Sequence, residues 1–300
     1  MNQALRRCLA SALLPLSAAG GLLLAFPSTP AGSAALAQDG NLILPPPSPA
    51  SQGWDPLTGP RGRLGRDWVG LRPLPAETPI LVMAGHADSQ NMAGAGTSGE
   101  AVGLRGAAPM FPGITDELYW AMVISTAVVQ LGQQRGLNIQ YYRPPWRTIP
   151  DGNAPGTNWS VGRDHVAAGG YALEIHFDAY GSDGIGSGLI PPVTAPNSRM
   201  DEALATEFGG YPRNFRDILG GPKRGIALLE IGKLEGTLEV SLRNPASRDQ
   251  AVQTIAHRIV RAMEVGLGRS PLASPTSPVL SADPQPPQTP SAAAYGRWGF

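Results

Sequence analysis

Four side chains able to do chemistry stand near the ends of apolar runs rather than inside them: His86, Glu117, His176 and Glu230. Two imidazoles and a carboxylate form the ligand set of a catalytic zinc, whose fourth position is left to water. A second carboxylate, not bound to the ion, would be the general base for that water. No two of these residues share a helix as in the H-E-x-x-H pattern, so only the fold can bring them together.

The flanking sequence predicts the elements that would do so. Residues 80–83 (Ile-Leu-Val-Met) read as a strand buried on both faces of a largely parallel sheet, and Ala84 and Gly85 then strip bulk from the backbone just before His86. Thr115 and Asp116 offer an N-cap for a helix over about 117–135, in which Ala121, Ile124, Val128 and Leu131 share a face and Gly136 follows as a stop. Residues 137–142 alternate like a strand, 161–168 suit one or two helical turns, and 171–177 form a third strand carrying His176. Residues 200–218 are helical in part, with a gap at Gly209 and Gly210. A fourth strand spans 225–231, and an amphipathic helix over 248–266 presents Val252, Ile255, Ile259 and Met263 on one face.

Alternating strands and helices predict an α/β fold, a three-layer open twisted sheet, mostly parallel, with helices on both faces. The carboxyl edge of such a sheet is where ligands bind, and it would gather His86, His176 and Glu230. Glu117 joins them only if the glycine-rich stretch 89–112, read as one long loop, folds over that edge.

Of the 300 residues, 23 are basic and 23 acidic, which gives no sign of a nucleic-acid or lipid-surface partner. Arg6 and Arg7, an apolar stretch over 9–26 and the triplet Ala35, Leu36, Ala37 have the layout of a secretory signal peptide, residues 1–37. Its removal would take away Cys8, the single cysteine, and leave a chain without thiol ligands or disulfides. The remainder divides into a Pro-rich linker and lead-in segment (38–75), a folded domain (76–268) and a disordered Pro-rich tail (269–300). Trp68 and Leu71 are expected to pack within the lead-in.

Four segments, in order, resemble the zinc-dependent N-acetylmuramoyl-L-alanine amidases of the amidase 3 type. They are Gly85, His86, Ala87, Asp88 after the first strand; Asp116 and Glu117 before a helix, Gly136, a strand and Arg143; Ala172 to Ala179 around His176; and Leu228, Leu229, Glu230, Ile231, Gly232. The resemblance implies a zinc exopeptidase-like fold, zinc held by His86, Glu117 and His176, and Glu230 as the catalytic carboxylate. It further implies a hydrolase that cleaves the amide between N-acetylmuramic acid and L-alanine in peptidoglycan, which the leader reading makes secreted or periplasmic, with no stable membrane insertion once the leader is removed. The sequence departs from the family at Glu174, where a serine is usual, and at Asp178, where asparagine is usual. Asp88 and Glu100 are rivals of Glu117 for the third ligand, and Glu174 is either an orienter of His176 or an intruder in the site. Hydrolysis of another small N-acyl amide, or wall binding without turnover, are the alternative readings. His165 and His257 read as structural, and Trp120, Trp146 and Trp159 as packing residues.

Overall fold

The computed structural model describes residues 53–65, 68–149 and 151–269. The expected leader, residues 38–52 of the linker and the tail beyond Arg269 lie outside the described residues. The first element among the described residues is a hairpin of two-residue strands, β1 (Trp54–Asp55) and β2 (Gly59–Pro60). There follow β3 (Ile80–Ala84), α1 (Glu100–Gly103), α2 (Asp116–Gln134), β4 (Ile139–Tyr142), α3 (Asn158–Ala167), β5 (Tyr171–Asp178) and β6 (Gly188–Ile190). The last elements are α4 (Arg199–Phe208), β7 (Ala227–Lys233), α5 (Gly236–Arg243) and α6 (Pro245–Gly266).

The main sheet has the order β4-β3-β5-β7-β6, parallel throughout except for the antiparallel edge strand β6. The chain lays β4 on one side of β3 and then returns to lay β5 on the other. The direction of strand progression therefore reverses between β3 and β5, and the carboxyl ends at such a reversal open a crevice. His86 follows β3 and His176 lies near the end of β5, so the two imidazoles flank that crevice.

Side chains alternate across a strand, so each strand feeds two cores. Ile80, Val82, Leu173, Ile175, Phe177, Ala227, Leu229 and Ile231 face α2, α4 and α6. Leu81, Met83, Ala172 and Leu228 face α3 and the segment around Tyr211 and Ile226. Fully burying a Val, Leu or Ile side chain is worth about 1.5–3 kcal/mol, so these central strands fix the sheet's depth and register. Along the second face the apolar row turns polar toward the carboxyl edge: Ala172 is followed by Glu174 and His176, and Leu228 by Glu230. Three layers and helices on both faces match the expected architecture.

Several expectations change in detail. Residues 53–60, read from sequence as the end of an extended tether, form the hairpin, where Arg258 of α6 pairs with Asp55 at 3.0 Å. Trp68 is buried as expected, whereas Leu71 is 74% exposed. The stretch 89–112 contains α1, whose first N–H reaches the carbonyl of Leu234 (2.9 Å). Helix α3 starts three residues earlier than its apolar positions suggest, because Thr157 and Ser160 close a capping box. Strand β6, in a stretch read as loop, pairs with β7 through only three residues. Helix α2 runs as expected from its Thr115 cap, and the chain turns left-handed at Gly136 (φ 71°). Among the described residues, no helix is long and apolar enough to cross a membrane.

Candidate metal centre

Strand β3 ends at Ala84, and the Gly85 N–H still reaches the Ile175 carbonyl (2.8 Å), so the backbone is held one residue past the strand. His86 then takes a left-handed conformation (φ 59°). Such a conformation in a non-glycine residue costs of order 1–3 kcal/mol and persists only where neighbours impose it. Here Gln90 Nε2 donates to the His86 carbonyl (3.0 Å) and the Ser89 hydroxyl lies 3.3 Å from Nδ1. With Nδ1 occupied by Ser89, Nε2 faces inward and stands 3.4 Å from Oε1 of Glu117.

Glu117 is the second residue of α2, where the helix N-terminus favours a negative charge. Its backbone N–H donates to the Thr97 carbonyl (3.2 Å), and Oε2 accepts the Thr97 N–H (2.7 Å). The glycine-rich stretch thus does fold over the sheet edge. Oε1 accepts from Phe177 N (3.3 Å) and lies 3.2 Å from His176 Nδ1. Burial opposes its charge, yet the two imidazoles and the Thr97 amide hold the carboxyl below its usual value.

His176 packs against Gly85, and the two imidazoles meet edge to face with centroids 4.9 Å apart. Burial lowers the His176 pKa, but the Glu117 hydrogen bond and the carboxylates of Glu174 and Glu230 lift it well above the usual imidazole value. Burial dominates at His86 and holds its pKa down. One donor atom from each of His86, Glu117 and His176 lies within 4.8 Å of the other two. Ligands of a tetrahedral zinc at about 2.0–2.1 Å stand roughly 3.3 Å apart, and the Glu117 distances to the two imidazoles, 3.2 and 3.4 Å, fit that spacing. Two nitrogens and an oxygen also suit zinc chemically.

Glu230 faces the same crevice from β7, directly opposite His176 in register. Its Oε2 is enclosed without a hydrogen-bond partner. Burial, with the charges of Glu117 and Asp178, raises its carboxyl to about 8, against the opposing charges of His176 and Arg216.

The rivals turn elsewhere. Glu100 pairs with Arg105 (2.9 Å) at the surface. Asp88 accepts the N–H of Asn158 at the start of α3 (2.7 Å), and burial raises its carboxyl. Glu174 sits beside His176, its Oε2 3.7 Å from Nε2. Asp178 is a loop anchor: its oxygens accept the N–H groups of Ala179, Ile185 and Gly186 and the hydroxyl of Tyr211. His165 lies at the exposed end of α3 with Nε2 3.0 Å from the Pro79 carbonyl, and His257 abuts Arg135. Trp120 is buried, Trp159 packs under Arg224, and Trp146 is exposed.

Sequence reasoning missed three contributors. Thr97 and Asn158 reach the site through backbone and amide contacts that no spacing encodes. Arg216 adds positive charge near Glu230 from a segment with three successive left-handed residues, Arg216, Asp217 and Ile218. A cleft of about 430 Å³ opens at the start of α2, lined by Gln90, Met92, Gly96, Ser98, Thr115 and Asp116.

No family model matches the chain, and no curated protein does. Among solved structures, the chain is similar to the apo form of the N-acetylmuramyl-L-alanine amidase Ami1 from Mycobacterium abscessus. The two are 15% identical over 66% of this chain and 100% of that one, with a TM-score of 0.43. The catalytic domain of CwlV, an N-acetylmuramoyl-L-alanine amidase from Bacillus (Paenibacillus) polymyxa var. colistinus, is 12% identical, covers 64% and 100%, and gives 0.45. Ami1 from Mycobacterium smegmatis is 17% identical over 65% and 99%, with 0.42.

Proposed function

We propose that the chain is an exported, zinc-dependent amidohydrolase that cleaves the amide between N-acetylmuramic acid and L-alanine in peptidoglycan. The observation that carries the reading is the gathering of His86, Glu117 and His176 at one crevice, with an unpartnered carboxylate, Glu230, on the adjacent strand. The four sequence segments that resemble the amidase 3 type are the ones that deliver these residues, and they point to the muramyl amide as substrate.

His86, Glu117 and His176 would hold the ion through two nitrogens and one oxygen. When bound, zinc supplies Lewis acidity toward the scissile carbonyl and the attacking water. Ser89 and Glu117 fix the two faces of His86, so that its Nε2 is the nitrogen on offer. Glu230 regains its carboxylate form beside a bound cation, since a nearby positive charge favours ionisation. It then accepts the proton of the attacking water and returns it to the leaving amine.

The test is zymography of the full chain in gels containing cell wall, with and without chelator. Clearing that disappears with chelator and returns with zinc supports the reading; no clearing with zinc present opposes it. The leader reading places the activity outside the cytoplasm, and mass spectrometry of secreted protein beginning at Gln38 would test that part.

A further inference from the structure

We propose that Glu174 is the positioning residue of His176: gripped by Asn158, it takes the Nε2 side of the imidazole and so commits Nδ1 to the metal centre. The inference rests on the metal-site reading above and assigns a further part of that site.

Residues 174 and 176 lie on one face of β5. His176 Nδ1 faces Glu117 Oε1, whereas Nε2 is buried with no hydrogen-bond partner and Glu174 Oε2 stands 3.7 Å from it. A small rotation of either side chain closes that gap to a hydrogen bond. In metal sites the partner of the non-ligating nitrogen sets the tautomer and aims the ring, and a carboxylate is the commonest strong choice.

Glu174 is only 3% exposed and its other oxygen is already spoken for. Oε1 accepts Asn158 Nδ2 (3.1 Å), and the same amide group also donates to the Ala84 carbonyl (2.8 Å). Ala84 ends the strand that leads to His86, so Asn158 ties Glu174 on β5 to the end of β3. Gly221 closes one side, where a Cβ would stand 3.2 Å from Glu174 Oε2. Gly85 packs on the His176 ring, which a Cβ there would overlap. An anchor for α3 needs only the Oε1 contact with Asn158. The second oxygen, turned to His176, is what the positioning role explains.

Zinc affinity of the full chain, measured by chelator competition alongside urea unfolding, tests the assignment. Glu174→Ala should weaken zinc binding about 10–100-fold, the usual effect of removing such a partner. Glu174→Met, similar in volume but with only a weakly accepting thioether, should do the same where the alanine variant fails to fold. Glu174→Gln keeps one acceptor oxygen where Asn158 Nδ2 and His176 Nε2 need one each, and should fall between wild type and the alanine variant. Val166→Ala, which loosens the far end of α3 away from Asn158 and Glu174, should lower the unfolding midpoint and leave zinc affinity unchanged. If wild type binds zinc and the alanine and methionine variants bind it as tightly, the inference is overturned while the metal reading stands. An equal loss in Val166→Ala also overturns it, in favour of mere anchoring of α3. A wild-type chain that takes no zinc overturns both.

Discussion

A Cβ on Gly85 would stand 2.2 Å from Cε1 of the His176 ring. The end of β3 thus leaves the room into which the imidazole of β5 packs, and the backbone beside His86 sets the position of His176. Gly85→Ala should push the ring outward, cost about 1–3 kcal/mol as overpacking does, and weaken zinc binding. Urea denaturation and zinc titration check both effects. A variant that matches wild type in affinity would mean that the ring position does not matter to the ion.

Deleting any one of the three gathered side chains should empty the centre. After dialysis against zinc-free buffer, His86→Ala, Glu117→Ala and His176→Ala should each retain little metal by elemental analysis. Glu100→Ala should retain the wild-type amount, because Glu100 is engaged with Arg105 at the surface. Metal kept by Glu117→Ala and lost by Glu100→Ala would reverse the assignment of the third ligand.

Glu230 gives the metal-free chain a pH signature. Burial raises its carboxyl from the usual 4.5 to about 8. Between those values the folded chain holds a proton that the unfolded chain has released, so this group lowers stability as pH rises through the window. Glu230→Gln removes that titration. In the presence of chelator, its stability advantage over wild type should grow from about pH 5 to about pH 8 and then level off. Urea unfolding midpoints across the range measure it, and a difference independent of pH would contradict the raised pKa.

Away from the site, Arg135 and Glu264 form a buried ion pair (3.0 Å) between the end of α2 and α6. Leaving one buried charge without its partner costs about 3–5 kcal/mol, so Arg135→Ala should destabilise the fold by that order. Calorimetry would detect it, and zinc content per folded chain should not change.

The parts legible in the sequence were those with strong local signals. The apolar cores of β3, β5 and β7 and the periodic face of α2 announce themselves, and each places a polar residue at its end. His86, His176 and Glu230 could be read from those positions. The placement of Glu117 depended on the Thr97 contact, which arises from a glycine-rich stretch without periodicity. Helix α1 and strand β6 are too short to carry a pattern and are held by non-local partners, Leu234 and β7. The start of α3 was obscured because its first turn is polar, its Thr157–Ser160 capping box outweighing the missing apolar period. Arg216 and Asn158 reach the crevice through tertiary packing alone, which no spacing within the chain encodes.

The central claim is that Glu230 moves the proton at a centre built by His86, Glu117 and His176. The most direct measurement is cleavage of a purified muramyl-L-alanine amide by zinc-loaded wild type and Glu230→Gln, with zinc content determined on the same samples. Glutamine keeps the shape but cannot accept the proton, so turnover should fall about 10²–10⁴-fold with zinc content unchanged. A variant that keeps its turnover, or that loses zinc together with activity, would contradict the claim.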